Sequence, residues 1–133
     1  MREVPPATQI LESVAELLSR DVIPLLSGHV AFHVRVAVNT LTIIKREIEF
    51  GGVATELEAL RLERLTGRHG NAEELNKMLC SWIADGSIAA NDPALIDHLW
   101  ATTMDTIAID QPTYVTYRRV QLSESASRTG ERR

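Results

Sequence analysis

Four polar residues recur along one stretch of the sequence at spacings that suit a helix, and they are the residues best equipped for chemistry. They are His33, Arg35, Asn39 and Glu47. The guanidinium of Arg35 could hold a carboxylate or a phosphate through two parallel hydrogen bonds. The imidazole of His33 could transfer a proton near neutral pH. The sequence therefore predicts a polar helix face that could serve a ligand or a partner protein.

Three interpretations of this polar face stay open at the level of sequence. Buried polar groups must find hydrogen-bond partners, so the face could be a structural network that fixes the register of packed helices. It could instead be a surface that binds a partner or a ligand. The third interpretation, catalysis, has the weakest support because no further motif accompanies it.

The sequence lacks the motifs of several enzyme classes. It has no GxSxG nucleophile elbow and no glycine-rich phosphate loop, since Gly51 and Gly52 are followed by Val and Ala without a lysine. Cys80 lies within a predicted helix beside an apolar residue, so we expect a buried, inert thiol. His29 and His33 are four residues apart, but no carboxylate follows at the spacing of a zinc site. We therefore assign no catalytic residue, expect no metal and no cofactor, and favour a protein that is not an enzyme.

Amphipathic helices must position these residues. Apolar residues recur at helical spacing in five segments, which capping residues, glycines and prolines separate. The predicted helices cover about 8–18, 29–50, 53–65, 71–85 and 92–109, and a short segment with Pro24 lies over 21–27. Five amphipathic helices with short connections predict an all-α bundle.

The apolar spacing also predicts which side of each helix faces the core. We expect Gly51 and Gly52 to end the long helix, and His98 to be partly exposed. The residues expected to face inward are Val30, Val34, Ala37, Leu41, Ile44 and Ile48 on the long helix, Val53, Leu57, Leu60 and Leu65 on the third, Leu75, Met78, Leu79, Trp82 and Ile83 on the fourth, and Ile96, Trp100, Thr103 and Ile107 on the fifth.

Composition excludes several classes of protein. The chain has 133 residues, of which 44% are hydrophobic, and such a chain can bury a core. Its single Cys excludes a disulfide within the chain. No run approaches the ~18 apolar residues of a membrane span. We see no signal peptide and expect a cytoplasmic protein without a membrane partner.

Charge is distributed unevenly along the chain. Residues 115–133 hold five arginines and two glutamates, so residues 1–114 carry a net charge of -7. An acidic body repels a phosphate backbone, so we expect no nucleic-acid partner. We predict a helical-bundle domain over 1–114 and a polar, disordered tail over 115–133. The arginines of that tail are Arg118, Arg119, Arg128, Arg132 and Arg133.

The segment FHVRVAVNTLTIIKREIEFG, residues 32–51, resembles the signature helix of a small bacterial family of uncharacterised helical proteins. The similarity covers about residues 2–114 and includes the strings PPATQILESVAELL, DVIPLLSGHVAFH, NDPALIDHL and IDQPTY. Gln111 stands where the family pattern has Asn, which matters little in a turn. The resemblance implies no assigned activity. It implies gene-neighbourhood companionship with aminoglycoside-phosphotransferase-like kinases and acyl-CoA dehydrogenases.

Two classes of function follow from these observations. The first is a non-catalytic accessory or interaction protein that binds one of those enzymes and forms a homo-oligomer such as a dimer. It is favoured because Val36, Val38 and Ile43 are apolar residues that lie off the predicted inward face of the long helix. The second is a domain that binds an anionic small molecule, or acts on it, in a polar pocket formed by His33, Arg35, Asn39 and Glu47.

Overall fold

The computed structural model describes residues 4–130 and consists of helices and their connections. Within these residues there is no β-strand, and the all-α prediction is confirmed. No helix in this part of the chain is long and apolar enough to cross a membrane. The chain divides into two compact units, Met1–Gly52 and Val53–Arg133. The α-helices are α1 (Ala7–Leu17), α2 (Gly28–Arg46), α3 (Gly52–Thr66), α4 (Ala72–Asp85), α5 (Pro93–Asp110) and α6 (Val115–Gly130).

The first unit is an antiparallel hairpin of α1 and α2. Two irregular turns join these helices, a π-helical turn at Leu18–Val22 and a 3-10 turn at Ile23–Leu25. Pro24 lies in the first turn of the latter, where its missing N–H needs no partner. Gly28 starts α2 with φ 61°, a left-handed conformation that glycine adopts without steric cost.

Helix α2 packs on α1 with a face that is rotated from the predicted one. Ala31 is its most buried residue, and its other residues in the cleft against α1 are Val38, Leu41, Thr42 and Lys45. The expected inward residues Val30, Ile44 and Ile48 are instead among the exposed apolar side chains.

The rotated packing of α2 is possible because its polar residues are paired. The Thr42 hydroxyl donates to the carbonyl of Val38 over 3.0 Å. The Lys45 ammonium lies 3.0 Å from a carboxylate oxygen of Glu12 on α1. The hydrogen bond that Lys45 donates to the Glu12 carboxylate raises the pKa of the Lys45 amine above its ordinary value. Polar groups satisfied in this way can lie at a helix–helix contact at little cost.

The helical path continues through Gly51 and Gly52, contrary to the prediction that they end it. Residues Glu47–Gly51 form a π-helical turn, and Gly52 begins α3 with φ -60° and ψ -48°. Gly51 is buried, and the Glu47 carboxylate fills the space that a Cβ would need. The glycine at 51 therefore allows a close approach of Glu47 and provides no left-handed stop.

The second unit is built on a core of four leucines. Leu62 of α3, Leu75 and Leu79 of α4 and Leu95 of α5 are almost fully buried and contact one another. Burial of each leucine side chain contributes about 1.5–3 kcal/mol relative to leaving it in water. These contacts hold α3, α4 and α5 together, and the predicted inward positions 75 and 79 are confirmed.

Caps fix the helix ends of the second unit where the sequence predicts them. The Asn71 side chain accepts a hydrogen bond from the backbone N–H of Glu74 over 2.9 Å, and the Glu74 carboxylate accepts one from the Asn71 N–H. The Asp92 carboxylate caps α5. Gly67 and Gly86 follow α3 and α4 with φ 65° and 77°.

The predicted inward faces of α3 and α5 are rotated by about one residue from the observed ones, although Leu65 of α3 packs against the leucine core as predicted. A shift of one position turns a helical side chain by about 100°. Cys80 shows the same effect on α4, since it is exposed beside the buried Leu79. The residues expected inside but found exposed are Val53, Leu57 and Leu60 of α3, Ile83 of α4, and Ile96, Trp100 and Thr103 of α5.

Helix α6 occupies most of the segment for which the sequence predicted a disordered tail. Tyr117 is buried, and its hydroxyl accepts a hydrogen bond from the Gln121 amide over 2.6 Å. This anchor is not visible in the polar composition of the segment. Arg132, Arg133 and the side chain of Arg128 lie outside the described residues, and the domain boundaries 1–114 and 115–133 stay a prediction.

The rotation of α3 can be tested with two leucines of that helix. Leu62 is 0% exposed and Leu60 is 50% exposed. We expect Leu62→Ala to lower the free energy of unfolding by about 2–5 kcal/mol, because it opens a cavity in the core. We expect Leu60→Ala to lower it by less than about 1 kcal/mol. Urea denaturation followed by circular dichroism measures both, and equal or reversed effects would contradict the rotation.

Candidate functional site

The four candidate residues of the sequence lie along α2 and the turn that follows it, and all four are exposed. At about 100° per residue, Arg35 and Asn39 share one side of the helix, and His33 lies about 160° around the axis from Arg35. None of the four contributes to the cleft between α1 and α2. Their side chains therefore diverge into solvent, and α2 alone does not bring them around one small molecule.

An apolar stripe runs between the candidate residues. Phe32, Val36, Asn39 and Ile43 follow one another at spacings of four, three and four, and we call these four residues the outer face of α2. Phe32 is 61% exposed and Val36 is 49% exposed. Arg35 flanks the outer face on one side and Glu47 on the other. Ile43 is half-buried. The outer face thus combines two exposed apolar side chains and a half-buried one with an amide in its middle and charges at both edges.

Ring contacts surround the amino-terminal end of the outer face. The imidazoles of His29 and His33 meet edge to face, with their centroids 6.0 Å apart. The centroids of the Phe32 and His33 rings are 5.9 Å apart. Phe32 is thereby positioned by a neighbouring ring although most of its surface is exposed, and the absence of a metal at these histidines stays a prediction.

A second polar group, which the sequence analysis missed, lies between α3 and α5 in the second unit. The Arg61 Nη2 atom lies 2.9 Å from Asp105 Oδ2 and 3.4 Å from Thr102 Oγ1. Beside it, His98 is only 4% exposed, although the sequence predicted partial exposure. On α3, one turn before Arg61, the carboxylate of Glu58 accepts a hydrogen bond from the Asn76 amide of α4 over 2.8 Å.

Helices α3 and α5 line an open cleft of about 450 Å³, which we call the Arg61–His98 cleft. Its floor and walls combine charged, polar and small apolar side chains. The residues that line it are Arg61, Arg64, Leu65, Ala94, Asp97, His98 and Ala101.

The surroundings of His98 favour the neutral form of its imidazole. Burial lowers the pKa of His98 below its ordinary value of 6.5, the charge of Arg61 lowers it further, and Glu58 opposes them. No described group lies within hydrogen-bond distance of the buried Nδ1 of His98 or of the buried Nε of Arg61. Two nitrogen atoms of residues that line the cleft thus remain unpaired, and because each exposes almost no surface, neither atom faces the open cleft. Such atoms are uncommon in folded proteins.

One signal in the sequence could have revealed this group. Buried or half-buried residues of α5 follow one another at spacings of three, four, three and four, and three of them are polar. They are Leu95, His98, Thr102, Asp105 and Ile109. A search for polar residues at helical spacing, with a basic partner on another helix, would have identified this stripe.

The lowered pKa of His98 predicts how stability depends on pH. The unfolded state takes up a proton near pH 6.5, whereas the folded state resists it until a lower pH. The contribution of His98 to stability is therefore fully present above the unfolded pKa and is lost as the pH falls through the window between the two values. We expect the variant His98→Gln to show a flatter dependence of the unfolding free energy on pH between about 5 and 7. An unchanged slope in urea denaturation at stepped pH would contradict the burial of this imidazole.

Comparison with known proteins identifies the family of this chain. No match was found among curated proteins or among solved structures. Residues 24–114 match DUF6285, a domain of unknown function. The matched span contains α2 to α5, and so both the outer face of α2 and the Arg61–His98 cleft. Since the match covers more than half of the chain and confirms the resemblance to an uncharacterised helical family, the chain belongs to the DUF6285 family.

Proposed function

We propose that this protein is a non-catalytic interaction module that docks a partner protein on the outer face of α2. The observation that carries the proposal is the exposure of two large apolar side chains one helical turn apart on the outer face, Phe32 at 61% and Val36 at 49%. A contiguous exposed apolar surface on a folded protein commonly marks an interface. Other exposed apolar residues of the first unit do not all belong to this surface, since Val30 and Ile44 lie more than about 100° around α2 from the centre of the outer face. These other residues are Ile10, Val14, Leu17, Leu25, Val30, Ile44, Ile48 and Phe50.

The dimensions of α2 suit such an interface. The helix has 19 residues and is therefore about 28 Å long at 1.5 Å per residue. A stable protein–protein interface buries about 800 Å² on each partner. A helix face of this length can supply a large part of that area when it lies in an apolar groove or against a second helix.

The polar residues supply specificity in this proposal. A single amide inside an apolar helix seam favours the one register in which it finds a partner. Asn39 occupies that position on the outer face. Arg35 and Glu47 flank it with opposite charges, which favour a partner with complementary charges at the rim of its groove. The residues that suggested chemistry in the sequence thus act here as recognition elements.

The partner is proposed by its surface chemistry. It presents an apolar groove or helix face with charges at the edge, and a second copy of this chain offers such a surface. The resemblance of α2 to companions of phosphotransferase-like kinases and acyl-CoA dehydrogenases makes these two enzyme classes the next partners to test. The alternative, a pocket for an anion at the same four polar residues, has less support because their side chains diverge around α2.

The substitution Val36→Asp tests the docking proposal. A charge at the centre of the outer face would have to be desolvated in the interface, so we expect association to weaken at least about tenfold. Val53→Asp is the matched control, since it makes the same change at an exposed valine outside the outer face. Light scattering over a concentration series measures self-association. Binding of purified kinase and dehydrogenase candidates is measured by calorimetry.

Wild type and Val53→Asp should associate equally, and Val36→Asp should not. Circular dichroism establishes that both variants remain folded. Association of Val36→Asp with the same affinity as Val53→Asp would exclude the outer face as the docking surface. A wild-type chain that stays monomeric and binds none of the candidates would count against the proposal as a whole.

A further inference from the structure

We propose that two copies of this chain pair through the outer face of α2, with the two α2 helices antiparallel and related by a two-fold axis between residues 37 and 38. The inference rests on the proposed function, because it names the occupant of that docking surface and the orientation in which it lies. It follows from where the outer-face residues and their charged neighbours lie along the helix and around it.

The outer face has the same spacing when it is followed in either direction along α2. Phe32, Val36, Asn39 and Ile43 are separated by four, three and four residues, so their midpoint lies between residues 37 and 38. An antiparallel second copy centred on this midpoint sets Phe32 opposite Ile43. It also sets Val36 opposite Asn39. A two-fold pair requires this self-complementarity, in which residue i contacts residue j and residue j contacts residue i.

Charge complementarity points to the same register. His29 and Glu47 are both exposed, and they are 18 residues apart. This separation is about five complete turns, so the two side chains lie on the same side of α2, about 27 Å apart along it. Their midpoint, residue 38, lies within one residue of the midpoint of the outer face. The pairing that aligns the apolar residues therefore also sets His29 of each copy against Glu47 of the other.

The contact between His29 and Glu47 of the second copy is favourable in both states of the imidazole. A neutral imidazole donates a hydrogen bond to a carboxylate, and a protonated one forms an ion pair with it. Within its own chain, the His29 ring contacts the ring of His33, with the centroids 6.0 Å apart. The two-fold axis generates the contact twice, once at each end of the interface.

The opposite edge of the outer face supplies a partner for the amide in its middle. Arg35 lies about one turn before Asn39 on the same side of α2. In the antiparallel pair, Arg35 of one copy and Asn39 of the other are level to within about 1.5 Å along the helix axis. A guanidinium has only N–H donors, and the amide oxygen accepts a hydrogen bond from them. The Asn39 amide is therefore satisfied in the register that also aligns the apolar residues.

A parallel pair of the same helices lacks the contact between His29 and Glu47. The two residues would then lie about 27 Å apart along the axis, too far for any hydrogen bond. Opposite charges at the two ends of one helix edge are complementary only when the second helix runs in the reverse direction. The charges of α2 thus select the antiparallel orientation.

Disulfide cross-linking tests the orientation in the full-length chain. Cys80 is exposed, so the substitutions are made in a Cys80→Ser background. We expect a mixture of Phe32→Cys and Ile43→Cys chains to yield a cross-linked dimer under mild oxidation. Phe32→Cys alone is the matched control and should not yield one, because its two copies lie about 16 Å apart along the axis. A disulfide requires Cα atoms within about 7 Å.

A double-mutant cycle on the dimer dissociation constant tests the register. We expect His29→Ala and Glu47→Ala each to weaken the dimer about fivefold, since each removes both copies of the contact. The double variant should be no weaker than either single variant. His33→Ala is the control, because its imidazole lies one turn further along α2, and its effect should add to that of Glu47→Ala. Sedimentation equilibrium measures the constants, and circular dichroism shows whether each variant is folded.

The outcomes separate this inference from the docking proposal. Cross-linking of Phe32→Cys with itself would overturn the antiparallel orientation, and additive effects of His29→Ala and Glu47→Ala would exclude the register. A wild-type chain that stays monomeric but binds a kinase or dehydrogenase candidate in a manner sensitive to Val36→Asp would overturn the pairing and leave the docking proposal standing. The two experiments use different substitutions, so a variant that fails to fold in one leaves the other decisive.

Discussion

The ion pair between Arg61 and Asp105 fixes how α3 and α5 are rotated against each other, while the leucine core holds the two helices together. The Arg61 side chain is only 22% exposed, and a charge withdrawn from water to this extent requires a partner. Asp105 supplies it from α5 at 2.9 Å. Once this pair is formed, the rotation of both helices is set, since the side chain at each neighbouring position must point about 100° away. Leu62 and Leu95 then point into the leucine core, and His98 points into the cleft.

A similar constraint acts in the first unit. Lys45 of α2 pairs with Glu12 of α1, so a charged residue occupies the contact between the two helices. Apolar residues of α2 consequently lie on its other sides, where they form the outer face. In each unit, a polar pair at the helix–helix contact coincides with exposed apolar residues elsewhere. The polar pairs thereby determine both the packing of each unit and the surface that it offers to other molecules.

This constraint also separates what the sequence predicts from what it does not. Helix ends are local features, so the Asn71 capping box and the left-handed Gly86 are visible in the sequence. The side of each helix that faces the core is not visible in this way. Assigning it from the spacing of apolar residues assumes that every polar residue faces water. On α5 that assumption selects Ile96 and Trp100, whereas the tertiary partner Arg61 brings His98 and Asp105 inside. A long-range ion pair of this kind has no signature within a single helix.

The two candidate sites, the outer face of α2 and the Arg61–His98 cleft, also differ in how far the sequence reveals them. The exposed polar residues Arg35 and Asn39 can be found from spacing on one helix. The Arg61–His98 cleft requires two helices in one rotation, and the polar stripe of α5 does not by itself identify its partner on α3. Gly51 gives a further example, because its role depends on the contact with Glu47 and not on the left-handed conformation that glycine pairs commonly provide. Sequence patterns thus located the helices and one surface, and tertiary contacts determined the cleft.

A double-mutant cycle across the Arg61–Asp105 pair tests the central claim most directly. The unfolding free energies of wild type, Arg61→Gln, Asp105→Asn and the double variant yield the coupling between the two side chains. The exposed pair of Lys77 and Glu73 on α4 provides a reference cycle, with an expected coupling of about 0.3–0.5 kcal/mol. If the ion pair sets the rotation of α3 and α5, its coupling should be about 1–2 kcal/mol. A coupling no larger than that of the reference pair would contradict this account.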